Sequence, residues 1–234
     1  MKRIDQWLSN LGYCSRREAR DWVRGGRITR AGGQVILDFG EKASADEIRV
    51  DGNALDHPDG LLLAMNKPLG VVCSHDSREG RRVYDLLPDQ WSRRLPALTS
   101  VGRLDRDTSG LLLLTDQTPM VHRLTSPKHK VPKRYAAQLA QPVPLERQQE
   151  LSRIFAEGSL SLDGEPCLPA ELGWSGSAAA ELVLTEGRFH QVRRMFAAVD
   201  LTVVTLHRTH FGRLPLDGLA PSEFRELPLD FSFD

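Results

Sequence analysis

Four consecutive leucines at residues 111 to 114 constrain the fold of this chain more than any other feature of its sequence. A short run that is apolar on both faces is typical of a strand buried on both sides. The stretch directly before it, SVGRLDRDTSG at residues 100 to 110, contains two aspartates and two arginines. We therefore predict a charged loop at the rim of a buried sheet, with Gly102 and Gly110 as its flexible ends.

Most of the other apolar runs also resemble strands, and many lie too close together for crossover helices. They predict an α+β fold, with a small N-terminal α/β module over residues 1–55 and a mainly antiparallel mixed-sheet domain over residues 61–234. The polar, turn-rich residues 51–60 are typical of a linker. Strands are predicted at residues 61–65, 70–73, 97–101, 111–115, 134–139, 179–185 and 202–207. Helices are predicted at residues 16–24, 118–125, 144–157 and 188–199.

The N-terminal module begins with two short helices. An apolar stripe at helical spacing marks the first helix and is formed by Ile4, Trp7, Leu8 and Leu11. Ser15 and Glu18 have the spacing of a capping box at the start of the second helix, and Gly25 with Gly26 ends it. One face of the second helix carries four arginines, Arg16, Arg17, Arg20 and Arg24. The residues that follow, RITRAGGQVI, predict a hairpin with a glycine turn.

Charge is unevenly distributed along the chain, although the net charge is zero. Lys and Arg exceed Asp and Glu in residues 1–30, 101–135 and 186–213, whereas residues 31–60 and 214–234 are acidic. Basic segments that are separated in sequence can converge on one surface, and a phosphate backbone is the commonest reason to build such a surface. The charge pattern therefore favours a nucleic acid as the partner.

Composition excludes several classes of protein. With 40% hydrophobic and 26% charged residues, the chain is typical of a globular protein and not of a disordered one. Its three cysteines form no CxxC or Cys/His pair, so we expect neither a metal site nor a disulfide framework. No apolar run reaches the roughly 18 residues of a spanning helix, and the N-terminus lacks the apolar core of a signal peptide. We expect a cytoplasmic protein that does not insert into membranes.

The segment LDRDTSG resembles motifs of two unrelated enzyme families. The haloacid-dehalogenase-type phosphatases carry Asp-x-Asp-x-Thr at the end of an apolar strand. Here Thr108 comes one position too early, and the apolar strand follows the motif instead of preceding it. The second motif is GRLDxxTSGLLLLT of the pseudouridine synthases, and this sequence matches all of its fixed positions.

Five ordered motifs extend the second resemblance over nearly the whole chain. They are the S4-like residues 2–50, NKPLGVVCS at 66–74, GRLDRDTSGLLLLTD at 102–116, HRLTSPKHKVPKRY at 122–135 and EGRFHQVRRMFAAV at 186–199. The chain thus resembles the bacterial ribosomal-RNA pseudouridine synthases of the small-subunit type, which carry an S4 RNA-binding module ahead of the catalytic domain. This resemblance implies an isomerase that converts uridine to pseudouridine.

The implied reaction breaks the bond from C1′ to N1 and forms one from C1′ to C5. Because it involves no redox change and releases no group, we expect no cofactor and no metal. The resemblance assigns the nucleophile to Asp105, the cation that keeps it ionised to Arg193, and the ring that holds the detached base to Tyr135. It also implies that Arg103 fills the space left by the flipped base.

Ribosomal RNA is the expected partner, bound by a monomer. Overall similarity favours 16S rRNA or an assembling small subunit. Residues expected to contact RNA are Arg16, Arg17, Arg20, Arg24, Arg103, Arg188 and His190. We expect Asp107 and Thr108 to hold the loop through hydrogen bonds from their side chains to the backbone.

Two alternatives remain open. One is a synthase that acts on 23S rRNA, and the other is a non-catalytic S4-type RNA-binding or ribosome-assembly protein with a vestigial synthase domain. The joint presence of Asp105, Tyr135 and Arg193 argues against a vestigial domain.

Overall fold

The computed structural model describes residues 1–126 and 128–234. Its helices are α1 (Ile4–Asn10), α2 (Arg16–Arg24), α3 (Asp89–Ser92), α4 (Thr118–Thr125), α5 (Leu145–Glu157) and α6 (Gln191–Ala197). Its strands up to the four leucines are β1 (Lys2–Arg3), β2 (Ile28–Arg30), β3 (Lys42–Ala43), β4 (Ile48–Val50), β5 (Asn53–Ala54), β6 (Leu62–Lys67), β7 (Thr99–Ser100) and β8 (Thr108–Thr115). The later strands are β9 (Lys133–Leu139), β10 (Ser161–Leu162), β11 (Glu165–Pro166), β12 (Glu171–Trp174), β13 (Ala179–Leu184), β14 (Val203–Phe211), β15 (Leu214–Pro215) and β16 (Phe224–Glu226).

One nine-stranded sheet forms the frame of the larger part of the molecule. Its order is β12-β13-β9-β14-β8-β6-β16, with β15 paired to β14 and β7 paired to β8. All of these pairs are antiparallel except β14 with β8, which run parallel. The predicted α+β class and the mainly antiparallel mixed sheet are confirmed.

The four leucines lie in the middle of this sheet and point alternately to its two faces. Leu112 and Leu114 join the core that is covered by α5 and α6, whereas Leu111 and Leu113 join a second core that is covered by α4 and the C-terminal segment. All four are fully buried. Each buried leucine contributes about 1.5–3 kcal/mol relative to an exposed one, so the strand is anchored from both sides.

The N-terminal module has an apolar core of its own, drawn from residues 4 to 55. The predicted stripe of α1 lies in this core, and the Trp7 indole N–H donates to the carbonyl of Ala43 at 3.0 Å. The capping box of α2 is present, since Ser15 Oγ accepts from the Glu18 amide and Glu18 Oε2 accepts from the Ser15 amide. Separate cores support the proposed division into residues 1–55 and 61–234, which stays a prediction.

Residues 51–60, which are predicted to be a linker, include strand β5 and, from Asp56 onward, contacts with the larger domain. Asp56 accepts a hydrogen bond from the Trp91 indole at 2.6 Å, and its carbonyl accepts one from Arg94. Arg94 also pairs with Asp116 at 3.0 Å, and both side chains are buried. The buried Arg94–Asp116 pair thus holds residues 56–60 against the larger domain, because Arg94 also binds the carbonyl of Asp56.

Several local boundaries also differ from the predictions. Residues 70–73 form no strand, and only Val72 makes an isolated bridge, to Arg82. The second arm of the predicted hairpin is likewise reduced to one bridge, between Thr29 and Val35. Helix α6 is shorter than predicted, because the residues before Gln191 form the loop beside the charged segment. No helix in the described part of the chain is long and apolar enough to cross a membrane.

Candidate active site

Asp105 lies in the loop between β7 and β8, at the rim of the sheet, and its side chain is 30% exposed. Gly110 is not the flexible end of this loop, because β8 already begins at Thr108. Gly110 has φ at +107° and lies so close to β14 that a Cβ atom at this position would be 2.3 Å from the carbonyl oxygen of Arg208. Only glycine therefore allows β8 to approach β14 this closely, and the approach sets the position of the charged loop.

Lys67 holds the main chain of the charged loop from below. Its side chain is fully buried, and Nζ donates to the carbonyls of Asp105 at 3.0 Å, Thr108 at 2.8 Å and Pro68 at 3.1 Å. Burial lowers the pKa of Lys67, and the charges of Asp105 and Asp107 oppose this shift. No role was predicted for Lys67 from the sequence, although a lysine at the end of an apolar strand indicates a cation at the edge of the core.

A row of cross-strand pairs connects Lys67 with the expected base-stacking residue. Across five neighbouring strands the paired residues are Leu182, Tyr135, Arg208, Gly110 and Lys67. Residues that face each other in such a row share one face of the sheet. Tyr135, Arg208 and Lys67 therefore lie on the same face, next to the loop that carries Asp105.

Arg208 is a second buried cation that the sequence analysis did not single out. Only 2% exposed, it donates from Nε to the carbonyl of Leu111 at 2.6 Å, and its guanidinium carbon lies 6.0 Å from the centre of the Tyr135 ring. Within residues 1–126 and 128–234, its Nη2 has no hydrogen-bond partner. Burial and the charge of Arg208 lower the pKa of Lys133 to about 8. Two buried cations, Lys67 and Arg208, thus lie on either side of Gly110 in the same row of paired residues.

Arg193 pairs with Asp107 and not with Asp105, so its predicted role in keeping Asp105 ionised stays a prediction without a direct contact. Arg193 Nη2 lies 2.9 Å from Asp107 Oδ2 and donates to the Asp107 carbonyl, while Nη1 donates to the carbonyl of Val203 at 2.8 Å. Arg193 lies in the first turn of α6, where its side chain spans from the start of β14 to the far end of the loop. It clamps the loop two residues after Asp105.

His190 is the side chain that faces Asp105. Its Nε2 lies 3.3 Å from Asp105 Oδ1, and its ring stacks on Phe189 with the ring centres 3.9 Å apart and the planes at 17°. His190 has a left-handed backbone with φ at +48° directly before α6. From the sequence, His190 was expected to contact RNA, and its position against Asp105 was not predicted.

The other predicted residues have different surroundings. Arg103 is exposed. Arg188 pairs with Glu186 and donates to the carbonyls of Glu165 and Pro166, so its guanidinium is used to hold the hairpin of β10 and β11. Thr108 does not brace the loop as expected, since its Oγ1 is buried and has no partner among the described residues.

The arginine face of α2 is present as predicted. Arg16, Arg17, Arg20 and Arg24 are all exposed, and within the described residues none of them forms an ion pair. A cleft of about 1100 Å³ opens beside this helix, between the N-terminal module and the larger domain. Its lining includes cations and aromatic rings that suit a nucleic acid, Tyr13, Arg16, Trp22, Arg27 and Arg93, but no residue around Asp105.

In the part of the chain that the structure describes, no three His, Cys, Asp or Glu side chains cluster closely enough to hold a metal ion. Asp105 is a partly exposed carboxylate whose main-chain carbonyl accepts a hydrogen bond from the buried Lys67.

Comparison with known proteins identifies the family. Residues 61–168 match the RNA pseudouridylate synthase family, and residues 2–35 match the S4 domain. An RNA pseudouridine synthase of Bacillus subtilis, named as uncharacterised, is 38% identical over 233 residues, which are 96% of this chain and 94% of the relative. The chain belongs to the RNA pseudouridine synthase family.

Further relatives extend this assignment over the full length. Ribosomal small subunit pseudouridine synthase A is 37% identical in Escherichia coli K12 and 39% identical in Pasteurella multocida, each over 96% of this chain and 95% or more of the relative. A crystal structure of a pseudouridylate synthase is 34% identical, with a TM-score of 0.66 and coverage of 97% of this chain and 96% of that one. The protein is therefore a pseudouridine synthase with an N-terminal S4 domain, and RNA is its partner.

Proposed function

We propose that this synthase isomerises one uridine of small-subunit ribosomal RNA and that Asp105 is its nucleophile. The observation that carries the proposal is the position of Asp105. Its carboxylate is partly exposed, while the main chain of its loop is fixed by Lys67 at residues 105 and 108 and by Arg193 at residue 107. A nucleophile held in this way needs little reorganisation when the substrate arrives.

The proposed chemistry balances without a cofactor. The bond between C1′ and N1 breaks, the base turns, and a bond between C1′ and C5 forms. C5 loses a proton and N1 gains one, so no electron or group is exchanged with a second reactant. Asp105 attacks either C1′ or the base and is released when the new bond is complete.

Binding requires the target nucleotide to leave its stack, which costs a few kcal/mol. Arg103 is suited to occupy the vacated space, because it is exposed and belongs to the same loop as Asp105. Tyr135 is suited to hold the detached base, since it lies in the sheet row that ends at Lys67. The exposed arginines of α2 add contacts to the RNA backbone at a distance from the reaction.

The small subunit is proposed as the source of the substrate because several relatives of this length are named as small-subunit synthases. The test incubates the protein with 16S and 23S rRNA transcripts, without added cofactor, and maps pseudouridine by carbodiimide adducts. We expect one modified uridine in 16S rRNA. Modification of 23S rRNA alone would overturn the proposed target, and absence of pseudouridine in both would overturn the proposed activity on free rRNA.

A further inference from the structure

Phe189 presents an aromatic ring to solvent at the edge of the proposed active site. The Phe189 side chain is 75% exposed, and one face of its ring is covered by His190. This exposure leaves the other face open.

Several hydrogen bonds hold the loop that carries Phe189. Arg194 donates to the Phe189 carbonyl at 3.3 Å, and the Arg188 amide donates to Gln191 Oε1 at 2.8 Å. Glu186 accepts from the Leu168 amide and from the Gln191 side chain, which ties the loop to the chain after β11. A ring held on such a loop loses little conformational freedom on binding.

Phe189 is coupled to the nucleophile through a single side chain. The His190 ring stacks on the Phe189 ring with the ring centres 3.9 Å apart, and the edge of the same His190 ring, at Nε2, lies 3.3 Å from Asp105 Oδ1. Phe189 is therefore separated from Asp105 by one side chain. Since the target uridine must reach Asp105, we expect a nucleotide beside the target to be the part of the substrate that meets the open face of Phe189.

We propose that Phe189 is a specificity-determining residue whose open face stacks on the nucleobase next to the flipped uridine. This inference rests on the proposed function, because it takes Asp105 as the position of the target. Stacking tolerates any base, so Phe189 favours substrates in which this neighbour is unpaired and free to stack. It thereby selects the structural context of the uridine and not the identity of one base.

The experiment uses the full-length protein and an rRNA segment that contains the uridine mapped above. All binding measurements are made in the Asp105→Asn background, so that they do not depend on chemistry. The RNA carries 2-aminopurine at the 5′ or the 3′ neighbour of the target, and its fluorescence reports stacking. The variants are Phe189→Ala, Phe189→Tyr, and Leu145→Ala as an exposed apolar control on α5.

We expect Phe189→Ala to raise the dissociation constant about 5- to 150-fold and to abolish the fluorescence quench at one neighbour. Phe189→Tyr keeps a stacking ring and should restore both the affinity and the quench, whereas Leu145→Ala should change neither. RNA that lacks the base at the neighbour where the quench is lost should bind the protein that retains Phe189 more weakly, by a similar factor. The missing base should not weaken binding to the Phe189→Ala variant any further.

Two results would overturn the inference. One is an unchanged affinity and quench in Phe189→Ala, and the other is additive effects of Phe189→Ala and the abasic neighbour. Turnover of the Asp105→Asn protein is measured separately on unlabelled RNA. Turnover by Asp105→Asn would contradict the assignment of Asp105 as the nucleophile, but it would not affect the binding and fluorescence results. The two proposals are therefore tested by different measurements.

Discussion

Arg193 Nη2 lies 2.9 Å from Asp107 Oδ2, so the arginine of α6 pairs two residues beyond Asp105 in the same loop. The same guanidinium also binds the Asp107 and Val203 carbonyls. Arg193 therefore fixes the loop against β14 and leaves the Asp105 carboxylate facing His190. In this arrangement Arg193 clamps the loop, whereas His190 is the side chain that faces Asp105.

Replacing Asp105 with Asn should abolish pseudouridine formation. The amide keeps the size of the side chain but removes its charge and nearly all of its nucleophilicity. RNA affinity should change by less than about tenfold, or roughly 1.4 kcal/mol, because other residues supply the binding. Single-turnover assays and filter binding on the same transcript measure the two quantities.

Asp107→Asn is the matched control for this prediction. It removes an ion pair in which Asp107 is mostly exposed, and such pairs contribute about 0–1 kcal/mol. The bond from Arg193 to the Asp107 carbonyl remains possible, so the variant should stay active. Turnover in Asp105→Asn together with its loss in Asp107→Asn would move the nucleophile two residues along the chain.

Arg193→Lys should lower kcat about 10- to 100-fold, since one ammonium cannot bridge the loop and β14 and the nucleophile then shifts. KM should change less than kcat, because Arg193 is mostly buried and is not one of the exposed cations that are expected to bind RNA. Arg30→Lys is the control, since Arg30 pairs with Glu41 and Glu47 in the N-terminal module and makes no contact with the loop. Equal losses of kcat in both variants would contradict the assigned clamp.

Tyr135→Phe should bind RNA with unchanged affinity but turn over slowly if the hydroxyl assists removal of the C5 proton. The phenyl ring still stacks on the base, so only the proton transfer is affected. Tyr84→Phe is a suitable control, because its buried hydroxyl accepts from the Ser100 amide at 3.2 Å and does not line the cleft beside α2. Full single-turnover activity of Tyr135→Phe would reduce the role of Tyr135 to stacking.

Removing two arginines from α2 should weaken RNA binding and reduce its salt dependence. Arg17 and Arg24 are the best choice, because Arg20 also packs over the Phe39 ring at 5.0 Å. Each lost phosphate contact should change the slope of log K against log salt by about 0.7 to 0.9. The double variant Arg147→Ala/Arg153→Ala on α5 should keep the slope, and an unchanged slope in the α2 variant would leave this face without a role in binding.

The stability of the protein should depend on pH through His57, which lies between Asp56 at 2.6 Å and Glu226 at 2.8 Å. Burial alone lowers the pKa of His57, but the hydrogen bonds and charges of Glu226 and Asp56 outweigh it and raise the pKa above its usual value near 6.5. The contribution of His57 is therefore full below that value and is lost as the pH rises through the raised pKa.

His57→Asn isolates this contribution, because asparagine tolerates the left-handed backbone at residue 57, where φ is +46°. Urea unfolding of both proteins should show a larger stability difference at pH 5.5–6 than at about pH 9. A difference that stays constant over this range, or grows with pH, would show that His57 is not protonated between the two carboxylates.

Local patterns in the sequence predict most of the elements that surround the site. Helices α2 and α4 have the predicted bounds, because capping residues, proline and glycine act within a few positions of the helix ends. The four leucines form the predicted strand buried on both faces, which removes all of them from water. The order of the motifs was sufficient to assign the family.

Tertiary structure alone decides which side chains meet around Asp105. Arg193 and the Asp107 carbonyl are 86 positions apart, and whether Arg193 reaches residue 105 or 107 depends on where α6 begins and how it packs on β14. Lys67 reaches the loop because β6 pairs with β8, and His190 meets Asp105 although 85 positions separate them in the sequence. Local preferences act over a few residues, whereas these contacts are set by the packing of distant elements.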